Sequence, residues 1–199
     1  PGTLAKVIDG LAGVVAIYAS KSSVYPQSSY ALTRDGSVYG WGNFQPALGL
    51  PNVESREPMV SPVKVAQLGN VVEVATALYV TLALTSDGSV WALPGTVADS
   101  GVVTAQKVEG LSSVVSLSGT ARGEVIALDQ AGVAWVLRYG TMIRDSLNKR
   151  YYTTVSVEKM LFAPPNMAQI SCSGVPEEGG YCLAITTDGT VWAWGINGD

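Results

Sequence analysis

An all-β fold, a β-propeller of four-stranded antiparallel blades with about four blades in this chain, is predicted by three observations. One pattern recurs four times along the 199 residues. Each copy is built of short runs rich in Val, Ile, Tyr, Trp and Thr, bounded by Gly, Pro, Asn and Ser, which is the composition of strands and their turns. Each copy also centres on a glycine turn between two apolar runs, and three of the four turns are Asp-Gly. Four strands in roughly 50 residues, repeated, is the arithmetic of a propeller blade.

Taken in order, the central elements are YALTRDGSVYGWG (Tyr30 to Gly42), LALTSDGSVWALPG (Leu82 to Gly95), IALDQAGVAWVL (Ile126 to Leu137) and LAITTDGTVWAWG (Leu183 to Gly195). The residue before the turn glycine is Asp35, Asp87, Ala131 and Asp188, so the copies are spaced by 52, 44 and 57 residues. The third copy is the degenerate one. A first strand precedes each element: GLAGVVAI (Gly10 to Ile17), LGNVVEV (Leu68 to Val74), GLSSVVSL (Gly110 to Leu117) and NMAQI (Asn166 to Ile170). Further upstream lies an outer piece ending in valine, as in Leu4 to Val7, Ser61 to Val65 and Thr104 to Val108. The whole chain, 1–199, forms one repeat domain with approximate repeats 1–50, 51–100, 101–150 and 151–199. The Asp-Gly pairs predict type I′ hairpins, whose two central residues both need positive φ.

After the turn, Tyr39, Trp91, Trp135 and Trp192 align on one strand face, with Trp41, Leu93, Leu137 and Trp194 two residues on. The opposite face carries Val38, Val90, Ala134 and Val191. A strand apolar on both faces is sandwiched between two layers. Large aromatics on one side and smaller residues on the other suit stacked, similar sheets, so the tryptophans are core residues rather than sugar-stacking platforms.

Composition narrows function. Hydrophobic residues make up 47% and charged residues 14%, so the chain can bury enough surface to order itself. No run reaches the roughly 18–20 uninterrupted apolar residues of a spanning helix, which predicts no membrane insertion. The net charge is −4 and there is no histidine. That balance argues against nucleic acid as a partner, and the missing imidazole removes His-based triads and His-ligated metal sites. Phosphate-loop, dinucleotide, EF-hand and nucleophile-elbow patterns are absent, so no cofactor, metal or catalytic residue is expected.

The run ALTRDGSVYGWGNFQPALGL, Ala31 to Leu50, and the run AITTDGTVWAWGINGD, Ala184 to Asp199, resemble the regulator of chromosome condensation repeat. The resemblance extends over four consecutive units. It implies a propeller fold, typically seven-bladed, so that the four units here would be part of a larger ring or close by other means. It also implies roles that vary between members: guanine nucleotide exchange on a small GTPase, chromatin docking, and in bacteria the binding of proteins such as β-lactamases. The chain lacks a basic tail and is acidic, so the chromatin and exchange activities are not carried across.

Asp35, Asp87 and Asp188 resemble a carboxylate set, but their place in the turns accounts for them. The stretch RDSLNKR, Arg144 to Arg150, is expected to be a solvated loop. Cys172 and Cys182 fall on successive strands of one hairpin. They are either buried thiols or a disulfide, with the disulfide favoured. Loops of uneven length, Ser20 to Ser29, Thr76 to Val80, Gly119 to Gly123, Gly174 to Gly180, Asn43 to Ser61 and Gly140 to Tyr152, gather at one end of the blades, while the turns at the other end barely vary. A rigid frame with a variable rim is the layout of a recognition surface. The candidate partner-binding residues are the aromatics Tyr25, Phe44 and Tyr79 with Arg122, Glu177 and Glu178.

The expected function is a non-catalytic β-propeller module that binds a protein through its loop-rich face. The alternative is a structural or surface-assembly subunit that binds copies of itself in an extracellular array. A hydrolase built on Glu177 and Glu178 is disfavoured, because adjacent residues on one loop rarely hold two carboxyl groups across a scissile bond. The expected location is extracellular or at a bacterial cell surface, with the cytoplasm as alternative; a chain opening at Pro1 is expected to be a processed product or a fragment.

Overall fold

The computed structural model describes residues 7–19, 28–42, 59–77, 81–98, 103–120, 123–145, 150–173 and 180–195. Fifteen strands form within these residues, all paired antiparallel as successive up-and-down units. The first unit is β1 (Val14–Ala19), β2 (Ser28–Thr33), β3 (Ser37–Gly42) and β4 (Met59–Gln67). The second is β5 (Val71–Thr76), β6 (Thr81–Thr85), β7 (Val90–Ala98) and β8 (Val103–Lys107). The third is β9 (Val114–Gly119), β10 (Glu124–Asp129), β11 (Ala134–Asp145) and β12 (Arg150–Lys159). The fourth has β13 (Met167–Cys172), β14 (Tyr181–Thr186) and β15 (Val191–Gly195) among the described residues. The predicted all-β architecture of consecutive blades is the one observed.

One stretch departs from expectation. Gly140 to Tyr152 is not a loop: β11 continues to Asp145 and β12 starts at Arg150, in register as Asp145↔Arg150 and Ile143↔Tyr152. The outer end of this hairpin pairs with β7 through Arg150↔Ala98 and Tyr152↔Thr96. The second and third blades are thereby joined into one eight-stranded sheet. Arg144 and Arg150 therefore stand at strand ends. Thr141, Ile143, Tyr151 and Tyr152 favour strand, and the pairing with β7 holds the hairpin extended despite the charges that suggested a loop.

The core lies between blades, in three layers. Tyr30, Leu32 and Val38 of the first blade meet Val71, Val74, Ala83 and Leu93 of the second. Leu82, Leu84 and Val90 meet Val114, Leu117, Ala127 and Leu137. Ile126, Leu128 and Ala134 meet Met167, Ile170, Cys182 and Ala184. The aromatic row thus faces the preceding blade and the valine row the following one.

The turns also differ from expectation. In each Asp-Gly turn only the glycine has positive φ: Gly36 at 78°, Gly88 at 79° and Gly189 at 84°. The Gly36 and Gly88 N–H groups donate to the Thr33 and Thr85 carbonyls at 2.9 Å. These are three-residue hairpins, a type I turn closed by a left-handed glycine, rather than the two-residue I′ form. The side chains select the longer loop. Asp35 accepts from Thr33 Oγ1 (2.6 Å) and Ser37 N (3.2 Å), and Asp87 and Asp188 repeat the arrangement. In the third copy the carboxylate has moved two positions: Asp129 accepts from Val133 N (3.0 Å) and Trp135 Nε1 (2.9 Å).

A second device repeats four times. Arg34, Ser86, Gln130 and Thr187 each donate a backbone N–H at 2.9 Å to a residue just before the first strand, namely Gly13, Asn70, Ser113 and Asn166. All four acceptors are left-handed, with φ between 53° and 66°. The turn of each blade is so tied to the start of its own inner strand.

Hydrogen bonds from the threonine two residues before (Thr33, Thr85, Thr186) and the Ser or Thr two residues after (Ser37, Ser89, Thr190) hold the Asp35, Asp87 and Asp188 carboxyls below their ordinary 3.8. A lowered folded pKa gives stability that is present above 3.8 and is lost as pH falls through the folded values. Melting curves between about pH 5 and about pH 2 are expected to show this loss. Asp87→Asn should lower Tm near neutrality and flatten the acid limb.

Candidate functional site

The inner strands β1, β5, β9 and β13 line a cleft of about 450 Å³ that runs toward the end opposite the Asp-Gly turns. Ala19, Thr76, Gly119 and Ser171 line it at or beside the ends of those strands. These strand ends are in contact: Thr76 Oγ1 donates to the Ala19 carbonyl (3.3 Å), and a Cβ on Gly119 would collide with the Thr76 carbonyl oxygen. Only a glycine lets the second and third inner strands approach so closely.

Among the described residues lining the cleft, Glu73 is the one that is charged. It occupies the third position of VVEVAT, where the other inner strands carry Ala16, Ser116 and Gln169. Its Oε2 accepts the Leu117 N–H at 3.1 Å, which ties β5 to β9. Burial raises the Glu73 pKa, and that one hydrogen bond only partly offsets the shift. Tyr18, facing the same cleft, is raised first by burial and then by the Glu73 charge, against a backbone hydrogen bond with Val74. A half-buried carboxylate in a cleft also lined by Ser116, Ser118 and Ser171 is suited to receive a cationic group.

Around the cleft, interblade polar contacts fix the rim. Thr81 Oγ1 donates to the Tyr30 hydroxyl at 2.8 Å, and burial pushes that phenol up to about 12. The Cys172 N–H donates to Ser118 Oγ (3.2 Å). Glu124, buried at the start of β10, accepts from Thr120 Oγ1 (3.2 Å) and lies 3.8 Å from the Arg138 guanidinium. Cys172 and Cys182, direct cross-strand partners with Cα atoms 4.1 Å apart, form a disulfide at the mouth of the fourth blade.

The six candidate partner-binding residues, Tyr25, Phe44, Tyr79, Arg122, Glu177 and Glu178, all lie outside the described residues. What the structure does describe is their anchorage. Ala19 and Ser28 bracket Tyr25, Thr76 and Thr81 bracket Tyr79, Gly119 and Glu124 bracket Arg122, and Cys172 and Tyr181 bracket the glutamates. Sequence reasoning missed Glu73. The legible signal was a single carboxylate inside a strand whose counterparts carry none. Among the described residues there is no cluster of three metal-ligating side chains and no helix long and apolar enough to cross a membrane.

Residues 35–84 match the family model of the regulator of chromosome condensation (RCC1) repeat. No curated protein matches the chain. Among solved structures, human WBSCR16 is 22% identical with a TM-score of 0.62, over 97% of this chain and 50% of that one. Prp20p from Saccharomyces cerevisiae, studied for its binding to Gsp1p and histones, is 17% identical with a TM-score of 0.57, over 94% of this chain and 47% of that one. Yeast RCC1 (Prp20) bound to Kap60 is 18% identical with a TM-score of 0.59, over 94% of this chain and 45% of that one. The chain spans about half the length of each, and the likeness is one of fold: an RCC1-like β-propeller.

Proposed function

We propose that this chain, which carries the RCC1 repeat, is a non-catalytic module that binds a protein partner through the loop-bearing end of its propeller. The carrying observation is the cleft between the inner strands, which is lined by the halves of those strands nearer that end and holds Glu73 as the one charged residue among its described lining. Burial disfavours the Glu73 charge, so the carboxylate costs stability above its ordinary 4.5 until a cation reaches it. A lysine or arginine of the partner, inserted between β5 and β9, would recover that cost. Tyr25, Phe44, Tyr79, Arg122, Glu177 and Glu178 would supply the surrounding contacts, with aromatic anchors flanked by polar residues. Prp20p, of similar fold, binds Gsp1p and histones, which fits protein recognition as the general use of such a frame.

The test is a partner captured from the source cells, cross-linked and mapped, followed by two variants. Cross-links at the loop-bearing end are expected. Glu73→Gln keeps the acceptor for Leu117 and removes the charge, so it should weaken the partner about 10-fold or more, the worth of one charge-assisted hydrogen bond. Asp87→Asn, at the opposite end, should leave affinity unchanged. The reverse ranking of the two variants overturns the reading.

The protein is further proposed to work outside the cytoplasm, in extracellular space or at a cell surface. The Cys172–Cys182 bridge supports this, since such bonds persist in oxidising compartments. Mass spectrometry of protein purified without reductant should show both sulfurs protected from alkylation. Reduction should cost about 2–3 kcal/mol, the value of closing so short a loop. Hydrogen exchange should then rise between residues 174 and 180 before the Asp-Gly hairpins lose protection. Two freely alkylated thiols would remove the support for this location.

A further inference from the structure

The link from the outer strand of one blade to the inner strand of the next turns at the Asp-Gly end. Val108 and Met160 hold the same place in two such links, since their N–H groups donate to the Val90 and Ala134 carbonyls at 2.8 and 2.9 Å. After Val108 come Glu109 and Gly110, and before the first blade the same turn is made by Asp9 and Gly10. Both glycines are left-handed, with φ 84°. After Met160 the pair is Leu161 and Phe162, and Phe162 takes the left-handed place with φ 58°. A bulky L-residue is crowded in that conformation, which suits glycine. All six of these residues are exposed, Leu161 by 62% and Phe162 by 84%. Glu109 and Gly110 lie between the second and third blades, with a further blade on either side, so exposure at this place belongs to the repeat.

The facing turn departs from the repeat as well. Ala131 stands exposed where the other blades carry Asp35, Asp87 and Asp188. The hairpin keeps its side-chain bonds through Asp129, which accepts from Val133 N and Trp135 Nε1, so the surface alone loses its acid. At the preceding junction Lys107 is accompanied by Asp87 and Glu109; Lys159, in the same place here, has Ala131 and Leu161 instead. The Ala131 turn and the Met160 link form the two walls of a cleft of about 230 Å³. Met160 and Ala163, on either side of the Leu161–Phe162 pair, line it, and Lys159 is the one charged residue among its described lining.

We propose that this junction is a second interaction surface, which takes an acidic, apolar segment of a partner protein. An apolar side chain of the segment enters the cleft beside Leu161 and Phe162, and a neighbouring carboxylate meets Lys159. In a chain of net charge −4, both walls of one cleft have exchanged an acid for an apolar residue and kept the lysine, which is the complement of such a segment. The Phe162 ring is too exposed to hold the fold together, and strained backbone of this kind persists at ligand contacts. The surface lies at the end opposite the loops and does not depend on the partner proposed there.

The probe is a random peptide library displayed on phage, selected on the 199-residue chain and depleted on its Phe162→Gly variant. Peptides that place a carboxylate next to a large apolar residue are expected. In fluorescence titrations, Ala131→Asp and Leu161→Glu, which restore the acids of the preceding junction, should each weaken these peptides at least about 10-fold. Lys159→Ala should weaken them too, but not their counterparts with the carboxylate changed to an amide. Glu73→Gln should leave them unaffected. Urea unfolding shows that each variant folds, and Phe162→Gly should raise the midpoint, because glycine relieves the left-handed place. Four results overturn the proposal. They are a library without Phe162-dependent binders, binders that the restored acids or Lys159→Ala do not weaken, and a lowered midpoint for Phe162→Gly. The fourth is Phe162-dependent sedimentation with phosphatidylcholine vesicles, which would assign the pair to a lipid surface.

Discussion

Gly88→Ala is expected to destabilise the fold by about 3–4 kcal/mol, and Gly189→Ala by only about 1–2 kcal/mol. Both glycines close the same three-residue turn with nearly the same φ, 79° and 84°. An L-residue there costs roughly 1–2 kcal/mol in either place, because its Cβ crowds the following carbonyl. The difference lies in what the Cβ meets. At Gly88 it would lie 2.8 Å from the Ser113 Cα and 3.0 Å from the Val114 nitrogen, backbone atoms that cannot swing aside. The second and third blades would have to separate, straining the Val114 N–H to Gly88 carbonyl bond as well. At Gly189 no atom of the described residues lies within 4 Å of such a Cβ. Urea unfolding of the two variants separates the contribution of the junction from that of the turn. Equal losses would mean that the glycines serve the turn alone and that the blades do not depend on their close approach.

The same turns show how much of the fold was legible in the chain. Their positions, the strands on either side and the division into inward-facing rows followed from alternation, because a two-residue period leaves few other arrangements once both faces are apolar. The turn type did not follow. Asp-Gly favours the I′ hairpin when only the backbone is considered, but Thr33, Asp35 and Ser37 form a side-chain network that needs one more residue in the loop. The degenerate third copy was legible as decay and not as substitution. Asp129 in place of the threonine restores the carboxylate that Ala131 lacks, which is visible only once Trp135 Nε1 is seen to donate to it.

The long hairpin of β11 and β12 was hidden for another reason. Charges at Arg144, Asp145, Lys149 and Arg150 argued for a loop, yet the backbone pairs through Asp145↔Arg150. Long-range pairing with Thr96 to Ala98 of β7 is not encoded in any local window. The candidate site divided in the same way. Loops of uneven length drew attention to one end of the sheets, whereas the cleft lies between the inner strands, whose facing residues no local pattern pairs. Glu73 was overlooked because a carboxylate in a strand is ordinarily a solvent-facing residue, and only the packing of β9 against β5 makes it half-buried.

Leu128→Ala is expected to cost about 3–4 kcal/mol, a fall in Tm of roughly 6–16 °C for a chain of this size. Leu128 is fully buried between the third and fourth blades, against Met167, Ile170 and Ala184. Removing its branched end leaves a cavity that two hydrogen-bonded sheets cannot collapse to fill. Ile185 occupies the equivalent place in the fourth blade but is 39% exposed. Ile185→Ala should therefore cost less, about 1–2 kcal/mol, since a larger share of its area already stays in water. Thermal melts of the wild type and the two variants check the ranking. Equal penalties would show that the third and fourth blades are not held by their apolar contact.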